Sequence, residues 1–342
     1  MTYFEEEKEK KRTKTTIHLW FGVTFPSLYG LWVNAAKASI VTCLPGGENI
    51  ARIFGDFGRE SASAFGCVRL GVRVLGFGRN DHVIDKEEFR FCWQKWIKAV
   101  VRPVSALIVV DVQNDFIRVI PPINRLLNEV KFDMVVYSLD WHPEDHVSFI
   151  DNVKDRPIHH TSEISSEDAQ VNDTVIFDVN NDGIPMEQRL WPRHCVQKSW
   201  GAQLHDDLKI VEDSVLVYKG TDPDTDSYSV FWDNNKKSQT SLNEELQKRN
   251  ITDVYICGIA YDVCVSATTA HAIEEGYRAL LIDDGCRGVC DADIQATKER
   301  TTSSNGLVIH SSQVKSLVSG RDRPPVLAYK LALEISKKMK KK

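Results

Sequence analysis

Asp111, Lys219 and Cys264 each stand close beyond a short apolar run of this sequence, and together they form a set able to do covalent chemistry. A thiol becomes a working nucleophile when a carboxylate can take its proton and a cation can balance the charges that move. Cys264 lies near the expected start of a helix, where the macrodipole and a nearby Lys219 favour the thiolate. The backbone amides of the turn before it are placed to hold an oxyanion. An isolated cysteine is more often a small buried hydrophobe, and Cys43, Cys67, Cys92, Cys257, Cys286 and Cys290 are read that way.

A second set has the character of metal ligands. Asp140 and His142 are two apart just past another apolar run, so both can turn towards one point. A further histidine as third ligand would complete a mixed oxygen and nitrogen site suited to zinc, iron or manganese. His146 and His194 are the two candidates.

Both sets need elements that bring distant residues together. Apolar runs fit for buried parallel strands recur at 106–110, 134–139, 215–218, 253–257 and 279–282. Helix patterns lie between them: Ser241 to Arg249 with capping-box spacing at Ser241 and Glu244, and Asp262 to Glu275 from an acidic cap to Gly276. Strands alternating with helices predict a three-layer α/β/α fold around a parallel sheet, in which ligands bind beyond the C-terminal strand ends. Asp111, Asp140, Lys219 and the segment leading to Cys264 all fall at such ends.

The 342 residues exceed one domain at about 150 residues each. With 42% hydrophobic and 27% charged residues, the chain can bury a core and has no global mark of disorder. A net charge of -5 argues against a nucleic-acid partner. Eight cysteines are too sparse for a disulfide scaffold. The run from Ile17 to Val33 follows a basic stretch as a leader would, but Pro26 and Gly30 interrupt it, and it is shorter than the ~20 residues that span a bilayer. The expectation is a cytoplasmic protein without membrane attachment, with secretion as the lesser alternative. Its lysine-rich end is read as a solvated tail or, alternatively, as a nuclear address. Residues 1–76 are read as a low-order extension punctuated by glycine. From Asp85, the positions of Phe89, Cys92, Trp93, Trp96, Ile97 and Val100 predict one apolar helix face, ended by Pro103.

Val110-Asp111-Val112-Gln113-Asn114-Asp115-Phe116, Asp140-Trp141-His142-Pro143, Trp191-Pro192-Arg193-His194-Cys195, Lys219-Gly220-Thr221 and Gly258-Ile259-Ala260-Tyr261-Asp262-Val263-Cys264-Val265 occur in one order. In that order they resemble the nicotinamidases of the isochorismatase-like cysteine hydrolases. The resemblance covers roughly 104 to 320. It implies a catalytic triad of Asp111, Lys219 and Cys264 and an oxyanion hole at the amides of Ala260 and Cys264. It also implies a cis peptide at Ile259–Ala260, and Phe116 and Trp191 on either side of a pyridine ring. One divalent metal would be held by Asp140, His142 and His194, with zinc the first expectation and iron or manganese compatible. Members of the family differ on whether a histidine placed like His146 ligates or supports. The implied reaction is hydrolysis of nicotinamide to nicotinate and ammonia through a cysteine thioester, in NAD salvage. The alternatives are a related amidohydrolase acting on another small amide, and a calcium-responsive scaffold without catalysis. Oligomeric state is not legible.

Calcium enters through Phe77 to Glu88. Ile84, Glu88 and Phe89 match the closing half of an EF-hand loop, and Asp81 is its one good early ligand. Phe77, Arg79 and His82 break the opening half, so 77–103 is read as a degenerate EF-hand-like segment that does not bind calcium. The hydrolase domain is placed at 104–325, with a basic tail at 326–342. Asp178 to Gly183 mimics a second such loop, but Arg189 replaces its closing acid, and a turn-rich loop is expected. The insertion from Val153 to Arg189 is long enough to fold over the strand ends as a lid.

Overall fold

The computed structural model describes residues 75–76, 86–116, 119–178 and 185–340. The run 17–33, Asp81, Asp85 and most of the 1–76 extension lie outside these residues. The chain divides into two compact units, 102–320, and 1–101 together with 321–342.

The larger unit is built on six parallel strands. In chain order they are β1 (Ser105–Val110), β2 (Met134–Asp140), β5 (Val215–Lys219), β6 (Asp253–Ile259), β7 (Arg278–Arg287) and β8 (Leu307–Ile309). Their spatial order is β5-β2-β1-β6-β7-β8. All six residues of β1 are buried, as expected of a strand covered on both faces. Helices α2 (Ile120–Glu129) and α6 (Ser311–Val318) pack together, as do α4 (Ser266–Glu274) and α5 (Asp291–Ser303); α3 (Leu242–Lys248) precedes β6.

The chain winds outwards from β1 in one direction through β2 to β5, and in the other through β6 to β8. The strand order therefore reverses between β1 and β6, where crevices form beyond strand ends. Two backbone features shape that point. Asp111 has φ +49°, which turns the chain sharply after β1. Gly258 has φ +126°, and a Cβ there would lie 2.0 Å from the Val110 carbonyl oxygen, so only glycine lets β6 lie so close to β1.

Some local expectations change. Ser241 does not cap α3 with its side chain; the Leu242 amide donates to Thr240 Oγ1 instead, at 3.1 Å. Asp262 is not a helix cap either: it lies inside a π turn, Tyr261–Val265, ahead of α4, and accepts from the Val289 and Cys290 amides. The insertion from Val153 to Arg189 contains an antiparallel pair, β3 (Thr174–Phe177) and β4 (Met186–Arg189), on either side of the segment expected as a turn-rich loop. Val147, Val153, Val175, Phe177 and Leu190 form a small core beneath it. Residues 179–184 lie outside the described set.

In the smaller unit, α1 (86–101) carries a π turn at Trp93–Ile97. Cys92, Trp96 and Val100 are its buried face, as the periodicity predicts. The segment expected as a solvated basic tail forms α7 (Pro325–Lys340), which buries Leu327, Ala328 and Ala332. Trp96 Nε1 donates to the Ala328 carbonyl at 2.7 Å, and Ala328 and Ala332 belong to the apolar cluster around Trp96. Glu88 stands half-buried near the start of α1.

Candidate active site

β1, β2 and β5 end at the same edge of the sheet, so their terminal residues meet. Asp140 is the last residue of β2 and Lys219 the last of β5, paired in register. Asp111 follows β1 directly, and Cys264 lies in the π turn after β6. All four are buried.

Lys219 Nζ is the centre of this group. It lies 3.0 Å from Asp111 Oδ2 and 2.5 Å from Asp140 Oδ1. It also donates to the Ser227 carbonyl at 2.8 Å and approaches Cys264 Sγ at 3.5 Å. Oxygen and sulfur atoms of Asp111, Asp140 and Cys264 fall within 4.8 Å of one another. One ammonium thus serves two carboxylates and a thiol.

The surroundings divide the roles of the two acids. Burial, reinforced by Asp140, pushes the Asp111 carboxyl up to about 6, against the pull of Lys219 and a 2.6 Å hydrogen bond from Ser138 Oγ. Asp140 is equally buried, but Lys219 and then His142 outweigh burial and hold it well below the usual carboxylate range. Burial alone would lower the Lys219 pKa; Asp111 and Asp140 hold it well above its ordinary value. Burial raises the Cys264 thiol well above its usual range, and Lys219 only partly opposes this. The sequence suggested a stabilised thiolate. In the folded site desolvation wins, so Cys264 rests as a thiol whose proton needs a nearby acceptor.

The histidines form an adjoining group. His142 Nε2 is 3.7 Å from Asp140 Oδ1, and His194 Nε2 is 3.9 Å from Asp140 Oδ2. Nδ1 of His142 bonds the Gly220 carbonyl at 2.9 Å, and Nδ1 of His194 bonds the Pro192 carbonyl at 2.7 Å. A carbonyl accepts only, so each Nδ1 donates and each Nε2 faces Asp140, where burial opposes but Asp140 outweighs it in raising the His142 pKa. Two imidazoles oriented by backbone carbonyls, with their Nε2 atoms facing a carboxylate held ionised, fit a divalent metal that would displace any Nε2 proton.

His146 stacks behind His142 at 4.0 Å between centroids. Its Nδ1 meets Ser148 Oγ at 2.8 Å, and its Nε2 is buried without a partner. Its metal-capable companions are His142 and Asp226, whereas His142 and Asp140 group with His194.

Aromatic residues adjoin the histidine group. Phe116 lies 5.6 Å from the His194 ring, and Phe149 touches His142, His146 and His194. Trp191 Nε1 donates to Tyr228 Oη at 3.4 Å, and the Arg189 guanidinium lies 4.6 Å over the Trp191 ring. The Ile259–Ala260 peptide is cis, and Ala260 immediately precedes the turn that carries Cys264.

Several contributors escaped the sequence reading. Ser138 both donates to Asp111 Oδ1 and accepts the Asp111 amide; it lies two residues before Asp140, and the strand period of two was the available signal. Gln113 grips the end of β2 twice, donating to the Asp140 carbonyl at 2.8 Å and accepting its amide at 2.9 Å. Ser227 and Asp226 had only the polar run after Lys219 to mark them.

The isochorismatase domain matches residues 105–313. The nicotinamidase of Escherichia coli (strain K12) is 36% identical over 200 residues, spanning 55% of this chain and 84% of that protein. The nicotinamidase of Saccharomyces cerevisiae is 34% identical over 205 residues, spanning 55% and 90%. Among solved structures, the nicotinamidase and pyrazinamidase of Acinetobacter baumanii superposes with a TM-score of 0.52 at 32% identity, covering 62% of this chain and 98% of that one. The yeast nicotinamidase Pnc1p bound to the inhibitor nicotinaldehyde gives 0.51 at 31% identity, covering 60% and 99%. Domain match, parallel sheet and strand-end cluster coincide over the same residues, and this chain belongs to the isochorismatase domain family.

Proposed function

We propose that this chain is a nicotinamidase, hydrolysing nicotinamide to nicotinate and ammonia in NAD salvage. The observation that carries the reading is Lys219 Nζ, which reaches Asp111, Cys264 and the acid of the histidine group at once. Nicotinamidases about 35% identical to this chain, aligned over most of their length, supply the substrate.

The residues then act in sequence. Phe116 and Trp191 flank the pyridine ring and hold the carboxamide over Cys264. Asp111 takes the thiol proton as sulfur attacks the amide carbon, and Lys219 keeps Asp111 and Cys264 electrostatically coupled throughout. The amides of Ala260 and Cys264 receive the oxyanion. When the C–N bond breaks, Asp111 returns the proton to nitrogen, and ammonia leaves. Water then attacks the thioester, giving a proton to Asp111; the C–S bond breaks, the thiol is re-formed and nicotinate departs. A divalent ion held by Asp140, His142 and His194, with zinc the first choice, supplies when bound a Lewis-acid anchor for the ring nitrogen.

The test is release of nicotinate and ammonia from nicotinamide by the purified full chain, with and without chelator. Equimolar products, lost on chelation and restored by an added divalent metal, support the reading. Absence of nicotinate from metal-loaded protein overturns it.

A further inference from the structure

The insertion that carries β4 is connected to the catalytic lysine through a chain of hydrogen bonds that starts at a buried glutamine. Gln188 is 2% exposed, although it stands on a sheet of only two strands. Its Nε2 donates to the Arg189 carbonyl at 2.7 Å and to Asp226 Oδ2 at 3.0 Å. Asp226 is 3% exposed, and its other oxygen, Oδ1, accepts the Ser227 amide at 2.7 Å. The Asp226 carbonyl accepts the Asn234 amide at 2.8 Å, which fixes the segment from its far side. Ser227 in turn presents its carbonyl to Lys219 Nζ at 2.8 Å.

A second stitch runs beside the first. Three residues after Gln188, Trp191 Nε1 donates to Tyr228 Oη at 3.4 Å, and Tyr228 is two residues after Asp226. The strand that delivers Trp191 and the segment that supplies a ligand to Lys219 are thus joined at two adjacent points. The Trp191 backbone pairs with Ser148 and Ile150, but its side chain has a long hydrogen bond and a stacked arginine, whereas the Gln188–Asp226 contact is short and dry. A buried hydrogen bond to a charged acceptor is the stronger constraint.

We propose that Gln188 and Asp226 are a positioning pair for this reaction: Gln188 sets the aromatic wall that receives the substrate ring, and Asp226 aims the Ser227 carbonyl that holds Lys219. Neither touches substrate. The inference rests on the nicotinamidase reading and assigns the β3–β4 insertion a task within it.

Both oxygens of Asp226 accept donors, so the isosteric Asp226→Asn must set an NH2 group against either the Ser227 amide or Gln188 Nε2. Gln188→Met keeps length and volume while removing the donor.

The experiment is steady-state kinetics on nicotinamide for wild type, Gln188→Met, Asp226→Asn and the double variant. Folding is checked by thermal melting and metal content by elemental analysis. Gln188→Met is expected to raise KM about tenfold with little change in kcat, because ring placement is loosened. Asp226→Asn is expected to lower kcat about 100-fold. The double variant should be no worse than Asp226→Asn alone, because removing the opposing donor relieves the clash. Near-normal kinetics in folded Gln188→Met would overturn the proposal, as would multiplicative losses in the double variant. If Asp226→Asn does not fold, the KM of Gln188→Met decides alone. An inactive wild type would count against the nicotinamidase reading itself.

Discussion

Lys219 Nζ and Asp140 Oδ1 lie 2.5 Å apart, so the lysine of the covalent machinery touches the acid of the histidine group. The two sets that looked separate in the sequence form one buried electrostatic unit. Lys219 also faces Asp111 at 3.0 Å, and its own side chain is fully enclosed.

Lys219→Met should therefore destabilise the fold as well as stop the reaction. It leaves Asp111 and Asp140 buried without their shared cation, a change that typically costs ~3–5 kcal/mol. Urea unfolding at neutral pH measures this. A loss below ~1 kcal/mol would mean that the carboxylates find other compensation.

Asp111, raised to about 6 by burial, keeps its proton to a higher pH in the folded chain than in the unfolded one. Two consequences follow in opposite directions. Its contribution to stability is fully present below the unfolded pKa of about 3.9 and is lost as pH rises through about 6. Its basic form, needed to accept the Cys264 proton, appears only above that point, so kcat/KM should rise to a plateau with a midpoint near 6. Ser138→Ala removes a hydrogen bond that favours the carboxylate and should move this limb upward. An acid limb that stays in place in Ser138→Ala would contradict the assignment of Asp111 as the base.

Gly220→Ala should damage metal retention. Gly220 has φ +62°, and a Cβ there would lie 2.3 Å from Cε1 and 2.6 Å from Nδ1 of His142. The same residue's carbonyl orients the imidazole. Displacing such a partner typically costs 10–100-fold in affinity. Elemental analysis after dialysis against a competing chelator reads it; wild-type retention would show that His142 is not a ligand.

Trp96→Ala should loosen the unit formed by α1 and α7. It removes a fully buried ring and its bond to the Ala328 carbonyl, a change of ~3–5 kcal/mol. Faster protease cleavage within 86–101 and 325–340 is the expected result; unchanged cleavage would mean the packing is dispensable.

How far the sequence could be read follows from the kind of interaction each residue makes. Asp111, Asp140, Lys219 and Cys264 were legible because strand ends announce themselves through apolar runs, and a parallel sheet brings those ends together. Ser138, Gln188 and Asp226 were not, because their partners lie 27 to 38 residues away and nothing local encodes the meeting. Helix α7 was hidden by composition: the lysines at its end drew attention from Leu327, Ala328, Leu331, Ala332 and Ile335, whose spacing is that of one apolar face. The protonation of Cys264 was misjudged for a related reason. Proximity to Lys219 can be guessed from motifs, but burial is a property of the whole fold.

The central claim is that Cys264 is the nucleophile of a nicotinamide hydrolase whose histidine group binds metal independently of that thiol. Its most direct test compares nicotinate formation by wild type and Cys264→Ala, with the metal content of both determined on the same samples. Wild type should turn over, and Cys264→Ala should lose activity by a factor on the order of 10³ or more at equal metal content. Nicotinate formation retained by Cys264→Ala would contradict the account.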